Sequence, residues 1–365
     1  MNLLINSIQT TMCPLVSVVI LNYNGKNFVS QCLKSVLSNV YPNFEVLFVD
    51  NGSKDGSVAL VEKLFGDDSR LEILKLGKNM GFALGNNIGI ERCKGDYIMF
   101  LNNDTIVEQH YLAELVKVME EQSDVAAVQS KLLKMDNPKL LDSAGDFVDY
   151  FGLTYNRGKG ENADQYDQMD EIFSARGAAM MVKSSVLKTV GVFDPSFFMI
   201  YEDIDLCWRI RLKGYKILFS PKSIVYHFSE ATTSKLNRSL PVFHGTKNWI
   251  MLMLKNRQQK GLIKFSPLIF LLCSMTMDII KRRDIESFLA RLQAIGWALR
   301  NLRQIWTKRL FVQKMLKVTS FNEDNLLVKI DLTCLTRRFL FGNSPRPVDT
   351  LGTHRERFNC YFFCH

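Results

Sequence analysis

Glu202, Asp203 and Asp205 fall within four positions of the run YEDIDLCWR, at the start of a predicted amphipathic helix reaching about Lys213. Acidic residues in a first helical turn are favoured by the helix dipole, so part of this cluster needs no chemistry. The run FDPSFFM ahead of it, residues 193–199, is apolar and aromatic. A carboxylate in such surroundings holds its proton to higher pH and can work as a general base. Asn102-Asn103-Asp104 offers oxygen ligands of the kind that hold Mg²⁺ or Mn²⁺ and, through the metal, a diphosphate. The alternative there is a strand-to-helix turn, with Asp104 or Thr105 capping a helix from about Glu108. Asp50, in VDNGSKDGS, could accept a hydrogen bond from a nucleobase or ribose, or could join Ser53 and Asp55 in shaping a turn. The run NMGFALGNN, residues 79–87, has glycines four apart, which is neither a dinucleotide fingerprint nor a P-loop. Its small residues suit helix packing, whereas the adjacent amides Asn86 and Asn87 suit neither a core nor helix propensity. His227 closes the apolar run Ile224-Val225-Tyr226. A lone histidine at a strand end is structural unless its strand returns to the Asp104 edge.

The elements that must position these residues read as alternating strands and helices. Residues 17–21, 44–49, 71–76 and 97–101 are apolar runs with the look of strands buried on both faces, and 28–39 has a helical period. From Pro14 to about His227 the alternation predicts an α/β fold with a mostly parallel sheet flanked by helices. Ligands of such sheets bind beyond the carboxyl ends of the strands. Three of the four strands end in Asn/Asp-rich loops, so polar side chains gather along one edge.

After Ser229 the character changes. Residues 246–318 are helix-forming, basic and apolar, and hold Trp249, Trp297 and Trp306. Between Lys247 and Lys317 there are 15 Lys/Arg against three acidic residues, a charge of +12 where the whole chain carries +9. A basic patch confined to one segment implies an anionic partner, membrane or nucleic acid. The longest apolar stretch, 265–277, is shorter than the ~20 residues that span a bilayer. Cationic amphipathic helices with Trp anchors lie in the interface instead, so a membrane surface is expected rather than nucleic acid. Met1–Pro14 lacks the features of a secretory signal. The eight cysteines are scattered, with no CxxC pair, which suits a reduced cytosol better than a disulfide framework or a zinc site. Residues 331–365 read as irregular.

Together VSVVILNYNG, VDNGSKDGS, NMGFALGNN, LNNDT and YEDIDLCWR, in this order over residues 14–233, resemble the inverting glycosyltransferases of family 2, which have the Rossmann-like GT-A fold. The resemblance implies that Asp203 is the catalytic base, with Glu202 and Trp208 on the acceptor side. It implies donor and nucleotide contacts from Asn22, Tyr23, Asn24, Asp50, Ser53, Asn79, Gly81, Phe82, Asn86, Asn87, Asn102 and Asn103. A divalent metal, Mg²⁺ or Mn²⁺, would be held by Asp104, with His227 completing its coordination. Asn102 stands where many members carry the first Asp of a DxD motif, a departure that predicts weaker metal affinity. The wording NxGFAxGNN and FxxYEDxDLCWR is most similar to a rhamnosyltransferase-like branch of surface polysaccharide assembly.

The implied reaction moves a sugar, rhamnose in that branch, from a nucleotide-diphosphate donor to a hydroxyl of a glycan or a polyprenyl-diphosphate-linked acceptor. The expected place is the cytoplasmic side, peripheral on the inner face of the cell membrane. Two rivals are a sugar nucleotidyltransferase and an inactive sugar-nucleotide-binding scaffold. The first would carry a Gly-rich basic loop after its first strand, where this chain has NYNGKN, and the second has no use for both Asp203 and Asp104. The expected organisation is an extension over 1–13, a catalytic domain over 14–235, a basic, membrane-associated helical region over 236–320, and an irregular tail over 321–365.

Overall fold

The apolar and amphipathic runs fold as β1 (Val16–Asn22), α1 (Val29–Leu37), β2 (Phe44–Asp50), α2 (Ser57–Phe65), β3 (Leu71–Lys75), α3 (Gly81–Ile90) and β4 (Tyr97–Asn102). The structure is a computed structural model that describes residues 13–149, 151–228, 239–258, 266–280, 283–315, 327 and 358–360. β1 pairs parallel with β2 and β4, in a register that aligns Asn22 with Asp50 and Leu21 with Asn102. The carboxyl ends of these strands therefore share one edge. Alternate residues of each strand feed opposite faces. Val16, Val18 and Ile20 pack with Cys32, Leu33 and Val36 of α1, whereas Val19 and Val49 join the core on the other face.

The chain continues through β5 (Thr105–Val107), α4 (Tyr111–Glu121), β6 (Val125–Lys134), β7 (Leu141–Ser143), β8 (Asp146–Val148), β9 (Thr154–Arg157), β10 (Asp170–Glu171), β11 (Ala179–Lys183), α5 (Ser184–Val190), α6 (Glu202–Leu212) and β12 (Lys216–His227). The main sheet has the order β10-β12-β6-β11-β4-β1-β2-β3, with β5 on β12 and β7 on β6. β11 runs antiparallel to β4 and β6, and β12 runs parallel to β6. This is the expected mostly parallel sheet flanked by helices. The helix expected from about Glu108 begins only at Tyr111, because Thr105–Val107 first pairs antiparallel with the end of β12. That pairing sets Thr105 opposite His227 and brings β12 back to the Asp104 edge.

The C-terminal part forms α7 (Ser239–Asn256), α8 (Ser266–Ile280), α9 (Ile285–Arg300) and α10 (Leu302–Met315), with α7 in contact with α6, α9 and α10. No described helix is long and apolar enough to cross a membrane. β13 (Phe358–Cys360) pairs antiparallel with β9 in a three-stranded sheet with β8, so this part of the tail is a strand rather than irregular. The rest of the tail except Leu327, the extension up to residue 12, and the expected domain boundary at 235 lie outside the described residues.

Candidate active site

The ends of β1 and β2 are joined by amides and hydroxyls gathered round the carboxylate of Asp50. Asn22 Nδ2 lies 3.2 Å from Asp50 Oδ1, 3.0 Å from Ser53 Oγ and 2.9 Å from Ser57 Oγ, and its Oδ1 accepts from Asn103 Nδ2 at 2.7 Å. Asp50 Oδ2 accepts from the backbone N–H of Gly52 and Ser53, so one carboxylate oxygen serves the turn and the other the side chain of Asn22. Asn24 Oδ1 accepts from Lys54 N. A Cβ on Gly25 would stand 2.1 Å from Asn103 Nδ2, so only glycine lets this knot close. Tyr23 is 41% exposed beside it, with a ring open to a planar ligand.

The NMGFALGNN segment is occupied with holding the aromatic segment ahead of α6. Asn51, which the sequence reading did not single out, accepts from Met80 N and donates to Asn79 Oδ1, which in turn accepts from Gly81 N. Phe82 N donates to Phe198 O at 2.7 Å, and a Cβ on Gly81 (φ +79°) would stand 2.5 Å from that same oxygen. Asn86 bonds to Phe82 O, and the Asn87 amide brackets the backbone of Phe193, donating to its oxygen at 2.8 Å and accepting from its nitrogen at 3.1 Å. The first N–H groups of α3 are thus spent inside the protein rather than left open to phosphate.

Asp104 is 7% exposed on the β4–β5 turn, and its Oδ1 is buried with no hydrogen-bond partner. His227 Nε2 stands 3.4 Å from that oxygen, and Asn102 Nδ2 lies 3.5 Å from the same nitrogen. The other ring nitrogen, Nδ1, lies 2.8 Å from Asp142 Oδ2 on β7, whose side chain is 1% exposed. With Nδ1 on Asp142, the ring presents Nε2 to Asp104, the arrangement in which a carboxylate supports a metal-binding histidine once a cation takes the place of the Nε2 proton. Burial alone would lower the His227 pKa, but Asp104 and Asp142 outweigh it and raise the value to about 9. An orphaned carboxylate oxygen and an imidazole nitrogen facing one another fit a divalent cation. Among the described residues no group of three or more His, Cys, Asp or Glu side chains surrounds one point.

Of the three acids opening α6, only Asp203 keeps partial access to solvent. Its Oδ1 accepts from Ile204 N at 2.8 Å and its Oδ2 from Gly177 N at 3.2 Å. Burial raises its pKa, opposed by those two N–H groups and by the Arg176 guanidinium. Glu202 is 7% exposed with Oε2 unpartnered, and burial followed by the charge of Asp203 pushes it well above the usual carboxyl range. Asp205 is fully enclosed between Arg209, Lys255 and Asn256. Trp208, expected on the acceptor side, is 0% exposed and packs edge-to-face on Phe173 beneath α6.

Ile200 and Tyr201, just before α6, have φ of 69° and 73°, a conformation L-residues avoid and a β-branched residue most of all. α7 holds them there. Asn248 Nδ2 donates to Met199 O at 2.6 Å and Ile200 O at 2.7 Å, and Lys247 Nζ to Ser196 O at 2.7 Å. Lys255 Nζ sits 2.9 Å from Asp194 Oδ2 and 2.7 Å from Asp205 Oδ1, and Lys308 Nζ bonds Asp194 and Ser196 at 2.5 Å. Trp249, expected at a membrane surface, is 2% exposed and donates to Phe151 O. Trp297 is partly buried under the Lys247 ammonium.

Sequence reasoning missed Asp142, Asp146 and Arg176. Arg176 Nε donates to Asp146 at 3.1 Å, and the charges of Asp142 and Asp203 also act on the guanidinium. Its charge thus lies between Asp142 and the acid on α6. Asp146 is buried and its pKa is raised to about 6. The available signal was two acids flanking Ser-Ala-Gly in the otherwise apolar run LLDSAGDFV.

Residues 17–190 match the family description "Glycosyl transferase family 2". The chain is 30% identical over 230 residues to the glycosyltransferase AglE of Haloferax volcanii, covering 60% of this chain and 68% of that one. It is 25% identical over 211 residues to a poly-β-1,6-N-acetyl-D-glucosamine synthase of Staphylococcus epidermidis, covering 58% of this chain and 49% of the other. The chain spans less than half the length of several of the curated relatives it matches. The crystal structure of GalNAc-T7 with UDP, GalNAc and Mn²⁺ has the same fold, with a TM-score of 0.57 at 16% identity, over 79% of this chain and 58% of that one.

Proposed function

The chain belongs to glycosyl transferase family 2, and from that premise we propose that it transfers a sugar from a nucleotide-diphosphate donor to an acceptor hydroxyl with inversion. The observation that carries this reading is the contrast within α6. Asp203 is accessible and oriented by two backbone N–H groups, while Glu202 and Asp205 beside it are enclosed. In this reading Asp203 takes the hydroxyl proton as the acceptor oxygen bonds to the anomeric carbon. The bond to the diphosphate oxygen breaks on the opposite face and leaves its electron pair on the phosphate. A base so placed contributes about 10²–10⁴ in rate.

Asp104 and His227 would hold a divalent cation, with Asp142 fixing the histidine ring. One carboxylate oxygen and one imidazole nitrogen suit Mn²⁺ better than Mg²⁺. Bound there, the cation supplies positive charge to the departing diphosphate. Tyr23 and the Asn22–Asp50 edge face the nucleoside, and the Arg176 guanidinium opposes the rise that burial gives the Asp203 pKa. Similarity to a polysaccharide synthase supports a glycan or polyprenyl-diphosphate-linked acceptor at the inner face of the membrane, and the NxGFAxGNN wording supports rhamnose as the sugar.

The test is a panel of nucleotide sugars, including nucleoside-diphosphate rhamnose, with released nucleoside diphosphate as readout. One donor should be turned over in the presence of Mn²⁺, with turnover suppressed by chelator. Nucleoside triphosphate and sugar 1-phosphate, formed only when pyrophosphate is added, would instead point to a nucleotidyltransferase.

A further inference from the structure

Helix α9 turns its larger aliphatic side chains outward, and α8 and α10, which bury Leu271, Met275, Ile305 and Val312, also expose large apolar side chains. α9 buries Ser287, Ala290, Arg291, Ala294 and Ala298, while Ile285, Leu289, Leu292 and Leu299 are 66, 49, 43 and 68% exposed. Steps of four, three and seven residues put those four large side chains on one face of the helix. The seam between α8 and α9 is an ion pair, Arg291 Nε to Asp278 Oδ2 at 2.5 Å, with side chains 2% and 0% exposed. Ile269, Leu272 and Ile280 of α8 stand out in solvent at 62, 53 and 77%, as do Trp306 and Phe311 of α10 at 57 and 55%. A helix on a water-soluble domain is arranged the other way round. Large apolar side chains exposed on three helices in contact, α8 with α9 and α9 with α10, mark an interaction site.

The charges among these residues identify the partner. The exposed ions of α9, α10 and the turn before them are Arg283, Arg300, Arg303 and Lys314, against Glu286. We propose that this face is the surface on which the protein lies on an anionic bilayer, the aliphatic stripes entering the acyl boundary and the cations meeting the headgroups. A second copy of the chain fits less well, because a two-fold contact puts the same patch on both sides and sets cation against cation. This assignment revises the expectation from sequence. Lys247, Lys255 and Lys308 are tied into the acceptor wall and Trp249 is core, so the anchors are exposed Leu, Ile, Trp306 and Phe311 instead. It does not depend on the sugar-transfer reading.

The experiment is flotation of the full chain with extruded vesicles of phosphatidylcholine containing phosphatidylglycerol, and with phosphatidylcholine alone. Leu289→Glu/Leu299→Glu and Arg300→Glu/Arg303→Glu change exposed residues, so their thermal melting should match wild type. Wild type should float with the anionic vesicles, and each double variant should lose about tenfold or more in partition. Failure of wild type to float, equal flotation on both vesicle types, or equal flotation of wild type and both variants would overturn the proposal. So would a dimer in light scattering that the leucine variant dissociates while vesicles stay bare. Nucleoside diphosphate release, measured without vesicles on the same samples, reports on the catalytic reading separately.

Discussion

At the ends of β1 and β2 the site is built from amides and hydroxyls gathered round the single carboxylate of Asp50, all on the strand ends and their loops, whereas around α6 it is built from buried charges whose partners come from the C-terminal helices. Asn22 reaches Asp50, 28 residues away, but Asp194 is held by Lys255 and Lys308, 61 and 114 residues later. A knot that loses one amide costs about 1 kcal/mol, or more if a donor is stranded. A buried ion that loses its counter-ion costs about 3–5 kcal/mol. Asp203, the proposed base, therefore sits on the wall that depends most on the C-terminal helices. A chain cut near residue 233 would lose the α7 contacts that hold Ile200 and Tyr201 in their strained conformation.

The largest effect should come from the acceptor wall itself. Asp203→Asn keeps the shape and removes the basicity, and should lower turnover by about 10²–10⁴ while donor affinity, read by calorimetry, changes a few-fold. Because the base works deprotonated and its pKa is raised by burial, wild-type activity should fall as pH drops through a value above the ordinary Asp range of about 3.9. An acid limb at or below that value would mean that Asp203 is more solvated than its geometry implies.

Next in size, Lys255→Met leaves Asp194 and Asp205 short of a cation and should cost about 3–5 kcal/mol in chemical denaturation. Asn103→Ala, on the other side of the comparison, should cost about 1 kcal/mol. Equal losses would erase the distinction between the two walls. Between these two in size, Asp142→Asn should weaken Mn²⁺ binding about 10–100-fold, followed by the paramagnetic spectrum of free Mn²⁺, with little change in melting temperature. Unaltered affinity would mean that Asp142 does not position His227 for metal.

The same contrast explains what could be read in the sequence. The strand ends and the start of α6 were legible because each motif folds as a local unit: an apolar run, a turn and the first turn of a helix. That β12 returns to Asp104 was left open, since it depends on β5, a three-residue strand with no signal of its own. Asp142, Asp146 and Arg176 meet only through sheet pairing and lay outside every motif. Asn86 and Asn87 were noticed as odd for a helix, yet their partners Phe82 and Phe193 show them holding the backbone of the aromatic segment. Trp208 and Trp249 were assigned by residue type, which carries no information on the face of the helix that each occupies.

The configuration of the product is the most direct measurement of the central claim. With the donor found in the panel and a defined acceptor, proton NMR of the product taken before any anomerisation reports the configuration at the new linkage. Direct displacement assisted by Asp203 predicts the configuration opposite to that of the donor, formed by wild type and lost with Asp203→Asn. A product that retains the donor's configuration, or an inverted one formed at an undiminished rate by the variant, would contradict it.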